Sequence, residues 1–241
     1  MKDSPEEIKI IKDFWNQRAE THGDECNATL GEKHLRFLEI KTMIKLIKTY
    51  KPQNVLDVGC GNGYSTIKYA KTFPDISFIG IDYSEKMIRN AKKISPPNSS
   101  FFVADVMEPK SFPNADFDLI LTQRCIQNLG RYENQHAAIS NLIKRKKPNG
   151  LILLMECSKD GVEQLNRVRS KLRKKPKEGI EPWHNNFIRD NKLIKDFGAE
   201  IVYFCSTYMF LTKVLHPRLS KWGYLLPNMG NFGYDRLYII K

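Results

Sequence analysis

Three glycines at alternating positions follow an apolar run and an acid in the segment VLDVGCGNGYST, residues 55–66. Glycine costs backbone entropy on folding, so Gly59, Gly61 and Gly63 need a physical reason. Either the loop turns through conformations that other residues resist, or a ligand lies against its backbone. Asp57 stands two residues before the first glycine. An acid at that place would repel a pyrophosphate and attract an ammonium or sulfonium group.

The spacing of the glycines separates two classes of ligand. A dinucleotide-binding loop has the pattern G-x-G-x-x-G, whereas this segment has G-C-G-N-G, with the third glycine one residue early. Together with Asp57, this spacing favours S-adenosylmethionine over NAD. A tight turn that binds no ligand is the alternative interpretation.

Further residues of cofactor-binding type follow the next two apolar runs. Asp82 ends the run FIGID, 19 residues after Gly63 (82 − 63), and an acid at such a strand end accepts hydrogen bonds from both ribose hydroxyls. Tyr83 and Met87 come next and are expected to pack against an adenine face. Asp105, in FFVADVM, is expected to accept a hydrogen bond from an adenine amino group. Acids at successive strand ends therefore support the cofactor prediction.

The segments VLDVGCGNG, GIDYSEKMI, ADV and FDLILTQR together resemble the class I S-adenosylmethionine-dependent methyltransferases over residues 54–156. The resemblance implies an enzyme with a seven-stranded sheet that ends in an antiparallel strand. It implies that the glycine loop passes the methionine part of the cofactor, with Asp57 toward the amino end. It also implies that Asp105 and Val106 border the adenine and that Gln123 lies beside the sulfonium.

A looser resemblance extends the comparison to both ends of this core. FWNQRA, TQRCIQNL and the region of EPWHNNF are similar to bacterial methyltransferases of small molecules, including some of surface-sugar biosynthesis. This similarity implies that Trp15 and Arg18 lie on an N-terminal helix over the cofactor. A helix packed on the core with a solvated arginine explains the same two residues without a ligand.

Candidates for the acceptor side follow the fourth and fifth predicted strands. Arg124 would hold an acidic group of the substrate or form an ion pair that stabilises its loop. Glu156 would act as a base, bind an amine, or serve as a structural hydrogen-bond acceptor. His184, in EPWHNNF, titrates near neutrality and suits a proton acceptor in a pocket wall; a surface histidine is the alternative. No metal-ligand pattern accompanies these residues, so we expect no metal.

The elements that must position these residues form an alternating pattern. Short apolar runs separated by helical stretches predict a parallel sheet covered by helices on both faces. With right-handed crossovers this is a doubly wound, Rossmann-like α/β fold, mostly parallel. Strands are predicted at 54–58, 76–81, 100–104, 117–121 and 151–156, and helices at 64–72, 85–93, 135–145 and 189–197.

The chain is expected to fold as a single methyltransferase domain. Residues 1–50 form a helical cap and 51–158 the cofactor-binding core, while 159–191 and 217–233 cover the substrate cleft as a lid. The second of these segments is rich in Gly, Pro and aromatic residues, so we expect it to be irregular. The final RLYIIK is expected to pair in antiparallel fashion with a strand inside 200–212.

Composition limits the remaining function classes. No apolar run approaches the roughly 18 residues of a membrane span, and five scattered cysteines indicate reduced thiols in the cytoplasm. The net charge of +12 is concentrated in the runs 144–148 and 167–177. Solvated surface explains these runs, and docking of RNA or protein is the alternative. The leading hypothesis is methyl transfer to a small molecule; an RNA or protein methyltransferase and a cofactor-binding protein without activity are the others.

Overall fold

The computed structural model describes residues 5–23, 25, 28–177 and 187–241, with side chains from residue 9 onward. The strands of this described part are β1 (Asn54–Val58), β2 (Ser77–Asp82), β3 (Ser99–Val103), β4 (Phe117–Gln123), β5 (Lys146–Cys157), β6 (Glu200–Phe204) and β7 (Asp235–Ile240). The helices are α1 (Pro5–His22), α2 (Lys33–Tyr50), α3 (Tyr64–Thr72), α4 (Glu85–Lys93), α5 (Tyr132–Ile143), α6 (Lys159–Lys171), α7 (Asp190–Phe197), α8 (Ser206–Met209) and α9 (Ser220–Leu225).

One seven-stranded sheet has the strand order β3-β2-β1-β4-β5-β7-β6. Neighbouring strands from β1 to β5 pair in parallel, whereas β7 is antiparallel to both β5 and β6. The predicted doubly wound fold with a single antiparallel strand is therefore confirmed. The predicted pairing of the last strand with the strand before it is also observed.

The two faces of the sheet carry separate apolar layers. Alternate residues of β1 point in opposite directions, so Leu56 and Val58 join one layer while Val55 joins the other. Side chains of α2 and α3, among them Ile40 and Tyr69, cover the second layer. No helix in the described ranges is long and apolar enough to cross a bilayer.

The bounds of the first elements match the pattern, and those of the last elements differ. The predicted bounds of β1, α3 and α4 are those observed. The segment 217–233 was expected to be irregular, but it contains a 3₁₀ turn at Pro217–Leu219 and helix α9. The strand predicted inside 200–212 is observed as β6, Glu200–Phe204, and the residues after it form α8 and a π-helical turn, Phe210–Leu215. The high Gly and Pro content of 217–233 led to the prediction of a loop where two short helical segments are observed.

Candidate functional site

A cavity opens at the carboxyl ends of β1, β2 and β4, where the chain order of the sheet reverses. Ligands of open α/β sheets bind at such a point. The space between its walls, about 770 Å³, includes solvent that is open to the surface. The predicted cofactor residues that line it are Trp15, Gly59, Gly61, Asp82, Tyr83, Met87, Asp105, Val106 and Gln123.

The glycine loop between β1 and α3 has left-handed backbone at all three glycines. Gly59, Gly61 and Gly63 have φ of 71°, 57° and 76°, a region that side chains resist. A Cβ at Gly59 would lie 2.6 Å from the Cys125 sulfur, and one at Gly61 would lie 2.6 Å from a Thr29 methyl carbon. The turn and its packing therefore already require glycine. The cavity beside the loop is the separate observation that indicates a ligand.

Asp82 at the end of β2 ties the glycine loop to the cavity wall. Its Oδ2 accepts a hydrogen bond from the Gly61 N–H and its Oδ1 accepts one from the Ser84 N–H, each at 2.9 Å. Burial raises the pKa of this carboxyl to about 6, against the opposing effect of the two N–H donors. Each oxygen retains a second lone pair, so Asp82 has accepting capacity left for a ligand in the cavity.

Asp57 is not among the described residues that line the main cavity. It lines a smaller adjoining cavity that Arg36 and Gln123 also line. Its Oδ2 accepts a hydrogen bond from the Thr66 hydroxyl at 2.5 Å, and burial raises its pKa to about 7. The structure thus places the predicted acid next to the glycine loop, with a polar pocket between it and the arginine.

Part of the wall of the main cavity combines apolar and polar side chains, as a pocket for an aromatic ring system does. Val106 and Met87 are buried apolar side chains in its wall. Asp105 follows β3, and its Oδ1 accepts a hydrogen bond from the Met107 N–H at 2.9 Å. The buried Tyr83 hydroxyl has no hydrogen-bond partner among the described residues.

Gln123, the last residue of β4, lines both cavities. Its Oε1 accepts a hydrogen bond from the Tyr69 hydroxyl at 3.0 Å. Its Nε2 is buried and finds no partner in the described part of the chain. Buried polar groups are rarely left unpaired, so this amide and the similarly unpaired Nε of Arg36 fit acceptor groups of a ligand.

Arg124 is held by other residues at the mouth of the cavity that it lines. Its Nε and Nη2 donate to Glu39 Oε1 at 2.8 and 2.5 Å, and Nη2 lies 3.6 Å from Asp235 Oδ1. Its backbone has a φ of 57°, which is uncommon for a residue with a side chain. The ion pair left open as the alternative for Arg124 is thus observed, and a substrate contact stays a prediction.

Glu156 near the end of β5 is completely buried. Its carboxylate accepts hydrogen bonds from the Thr122 hydroxyl at 2.6 Å and from three backbone N–H groups of residues 125–127 at 3.1–3.2 Å. Burial raises its pKa to about 7. The described residues that line the two cavities do not include Glu156. Its geometry fits the structural alternative, in which it fixes the loop after β4.

Of two other predicted residues, one lies outside the described part of the chain and the other does not line the cavity. His184 falls in 178–186, outside the described residues. Arg18 on α1 donates from Nε to the Ala28 carbonyl at 2.9 Å and does not appear among the described lining residues. Trp15, on the same helix, does line the cavity. The structure therefore brings Trp15 to the site and leaves Arg18 on its outer side.

A buried ionic cluster beside the cavity was not predicted from the sequence. Arg36 and Glu39 of α2 are 4% and 1% exposed, and Asp235 at the start of β7 is 0% exposed. Glu39 lies between two guanidinium groups, since its Oε2 is 3.6 Å from Arg36 Nη1 while its Oε1 binds Arg124. Burial and the adjacent Glu39 carboxylate raise the pKa of Asp235 well above its ordinary value. The i,i+3 spacing of Arg36 and Glu39 was the only signal.

Several cations of the two basic runs have structural partners. Lys147 pairs with Asp118 at 2.9 Å, and Arg145 donates to the Pro109 carbonyl at 3.1 Å. In the second run, Lys174 donates to the Val214 carbonyl at 2.6 Å. Part of the positive charge therefore anchors loops of the protein itself.

Comparison with known proteins agrees with this geometry. A family model described as a methyltransferase domain matches residues 51–200. The chain is 35% identical over 109 residues to malonyl-[acyl-carrier protein] O-methyltransferase 2 of Ilyobacter polytropus. The aligned region covers 44% of this chain and 40% of that protein. It is 29% identical over 168 residues to the malonyl-[acyl-carrier protein] O-methyltransferase of Priestia megaterium, covering 69% and 58%. The chain thus spans about two fifths to three fifths of the length of these relatives.

A solved structure shares the fold over nearly the whole chain. The plantazolicin methyltransferase BpumL, in complex with SAH, superposes with a TM-score of 0.58 over 98% of both chains. Sequence identity is 19%, so this similarity concerns the arrangement of the elements.

Proposed function

The chain belongs to the family of methyltransferase domains, and from this premise we propose that it transfers a methyl group from S-adenosylmethionine to an oxygen or nitrogen atom of a small-molecule acceptor. One observation carries the proposal: the glycine loop, Asp82 and Gln123 meet at one cavity from the ends of three strands. The pocket combines an acid, an amide and a loop of glycines with positive φ. These groups match the chemically different parts of this cofactor.

The residues present fit the cofactor part by part. Asp82, with its spare lone pairs, suits the two ribose hydroxyls, and the apolar wall with Val106 and Met87 suits the adenine. In the smaller cavity the unpaired Arg36 Nε suits a carboxylate, while the Asp57 side suits an ammonium group. These pairings use buried donors and acceptors that a bound ligand would satisfy.

When bound, S-adenosylmethionine supplies an activated methyl group on a sulfonium and departs as a neutral thioether. The protein then has to align the acceptor and exclude water, and such positioning contributes about 7–11 kcal/mol to a reaction of this kind. Asn128 lines the same cavity as Arg124 and is our candidate for orienting the acceptor. Trp15 of α1 shields the cavity from solvent.

A general base is needed only for a hydroxyl or a protonated amine. Glu156 is buried behind the loop after β4, so we assign it to the scaffold and retain His184 as the proposed proton acceptor. We further propose that 159–191 and 217–233, which contain α6 and α9, form the lid. The four described cysteines are free, which supports a reducing compartment such as the cytoplasm.

The relatives reported above are named as O-methyltransferases of malonyl-[acyl-carrier protein], which supports an oxygen atom of a small acyl-type group as the acceptor. We propose no nucleic-acid acceptor, and the engagement of Arg145, Lys147 and Lys174 of the basic runs within the protein supports this in part.

Calorimetric titration tests the cofactor. S-adenosylmethionine and S-adenosylhomocysteine are expected to bind with one site per chain, whereas NAD is expected not to bind. Tight binding of NAD, or no binding of either sulfur compound, would remove the basis of the proposal.

Incubation with methyl-labelled cofactor and fractionated cell extract tests the reaction. Label is expected in the small-molecule fraction together with S-adenosylhomocysteine, and mass spectrometry of the product then identifies the acceptor. Label in RNA or protein would establish the alternative substrate class. Cofactor binding without S-adenosylhomocysteine from any fraction would make the chain a binding protein.

A further inference from the structure

Exposed apolar side chains are concentrated on α9 and the turn that follows it. Trp222 is 58% exposed, Leu225 57%, Leu226 46% and Met229 72%. Trp222 and Leu225 are spaced i and i+3, so they lie on one side of the helix, and Leu226 follows directly at its end. We call these four residues the α9 apolar face. Soluble proteins seldom leave such a cluster without a partner.

The other side of α9 is packed firmly on the protein. Gly223 is buried, and a Cβ there would come within 2.9 Å of the Tyr208 ring. Tyr224 stacks on His34 of α2 with ring centres 6.1 Å apart and contacts Phe37 at 6.2 Å. The α9 apolar face therefore points outward because the opposite side of the helix is fixed.

Positive charge surrounds the α9 apolar face. Residues 201–234 contain no Asp or Glu, and exposed Arg218 and Lys221 precede Trp222 and Leu225 by four residues. The adjacent helix α2 adds further cations, with Lys41 Nζ 6.0 Å above the Tyr224 ring. The exposed lysines of this helix are Lys33, Lys41, Lys45 and Lys48.

The acids of α2 and its cap leave this charge uncompensated on the surface. Glu39 is buried with Arg124, and Glu32 pairs with Lys213 at 2.6 Å. Exposed Trp and Leu next to a row of Lys and Arg is the composition of helices that lie at a lipid interface.

We propose that the α9 apolar face and the lysines of α2 bind the surface of membranes that contain acidic phospholipids. The apolar side chains would enter the headgroup boundary while the cations meet lipid phosphates. RNA is disfavoured because three of the four exposed residues are aliphatic or thioether side chains that do not stack on bases. A second copy is disfavoured because a two-fold interface would bring the same lysines together.

Cosedimentation with vesicles tests the proposal on the full chain. Vesicles of phosphatidylcholine and phosphatidylglycerol at 7:3 in 0.1 M NaCl are expected to bind the protein at least about ten-fold more tightly than vesicles of phosphatidylcholine alone, since each basic residue near the surface contributes about five-fold. Binding is expected to weaken when NaCl is raised to 0.5 M. Equal binding to the two vesicle types, or no binding, would overturn the proposal.

Variants localise the interaction. Trp222→Glu combined with Leu225→Glu is expected to lower vesicle affinity by at least about ten-fold, and Lys33→Ala with Lys45→Ala to lower it by about five-fold per lysine. Ile194→Glu, at a site 48% exposed on α7, and Lys92→Ala on α4 are the matched controls and should bind as the unaltered protein does. Loss of binding in the controls alone would overturn the assignment.

Two measurements separate the other outcomes. Brominated lipid is expected to quench the fluorescence of the unaltered protein, and Trp222→Phe to abolish most of that quenching. Sedimentation velocity of the same variants detects self-association. Dimerisation that is lost in the Trp222→Glu, Leu225→Glu variant, without vesicle binding, would assign the face to a second copy, and RNA binding through it would also contradict the lipid partner. Circular dichroism and cofactor titration check that each variant is folded.

Discussion

The end of β2 and the end of β5 each carry a carboxylate, yet only the first of the two lines the cavity. Asp82 accepts two backbone hydrogen bonds and has room for a ligand. Glu156 accepts four hydrogen bonds and is 0% exposed. Burial raises the pKa of both, to about 6 and about 7. An acid at a strand end can therefore belong either to a ligand site or to the scaffold. The number of hydrogen bonds that its carboxylate already accepts within the protein distinguishes the two cases.

The largest effect expected from this contrast is on stability at the end of β5. Glu156→Ala leaves the Thr122 hydroxyl and three buried N–H groups without an acceptor, so we expect a loss of about 3–5 kcal/mol in the free energy of unfolding. Chemical denaturation measures it, with exposed Glu200→Ala on β6 as the control. A Glu156→Gln protein with unchanged stability and cofactor affinity but no turnover would return Glu156 to the catalytic site.

The counterpart at the end of β2 is expected to affect ligand affinity. Asp82→Ala removes charge-assisted hydrogen bonds to the ribose hydroxyls, so S-adenosylhomocysteine affinity should fall about 100-fold. Calorimetry measures the affinity. Asp75→Ala, an exposed acid just before the same strand, is the matched control and should leave it unchanged. Equal affinities in the two variants would remove Asp82 from the ribose site.

A pH titration probes the same difference without removing the side chain. Burial raises the pKa of Asp82 to about 6, and the ionised carboxylate is the better acceptor. Affinity for S-adenosylhomocysteine is therefore expected to rise with pH and to be about ten-fold weaker at pH 5 than at pH 7, because below the pKa the ligand must displace a proton. Asp82→Asn should lose this component. A pH dependence that is unchanged in that variant would assign it to another group, such as Asp57.

The smallest expected effect concerns Gln123 at the end of β4, a strand that lies between β2 and β5 in the sheet. Replacing its unpaired amide by Met should weaken cofactor affinity by about three- to ten-fold, the value of one hydrogen bond. Tyr69→Phe keeps the amide but removes the hydroxyl that donates to Gln123 Oε1, so a smaller loss of affinity is expected. Larger loss in Tyr69→Phe would show that orientation matters more than the amide's own contact.

Local pattern was sufficient for the first half of the fold. A strand, three glycines and a helix are consecutive in sequence, and α4 begins at a serine cap, so β1, α3 and α4 could be bounded from periodicity and turn chemistry. The acids at the strand ends could be found as well, because the carboxyl ends of parallel strands meet at one edge of a sheet. Trp15 needed the resemblance, since nothing in its own segment directs it to the cavity.

The ionic cluster could not be predicted because burial of a charge depends on distant partners. Arg36 and Glu39 stand in a lysine-rich amphipathic helix, where charged residues usually face water. Arg124, which neutralises Glu39, comes 85 residues later, and Asp235, which lies near Arg124, comes more than 190 residues after Glu39. In the same way, Glu156 became a scaffold residue only because the loop after β4 folds over it.

The position of β7 has a consequence for how this chain folds. Strand β7 is inserted between β5 and β6, so neither of those strands can complete its ladder before β7, which is distant from β5 in sequence, is in place. Until Asp235–Ile240 pairs, two apolar strand edges stay open, and such edges promote aggregation. We expect the insertion of β7 to be a late step in folding, and intermediates that lack it to be prone to aggregation.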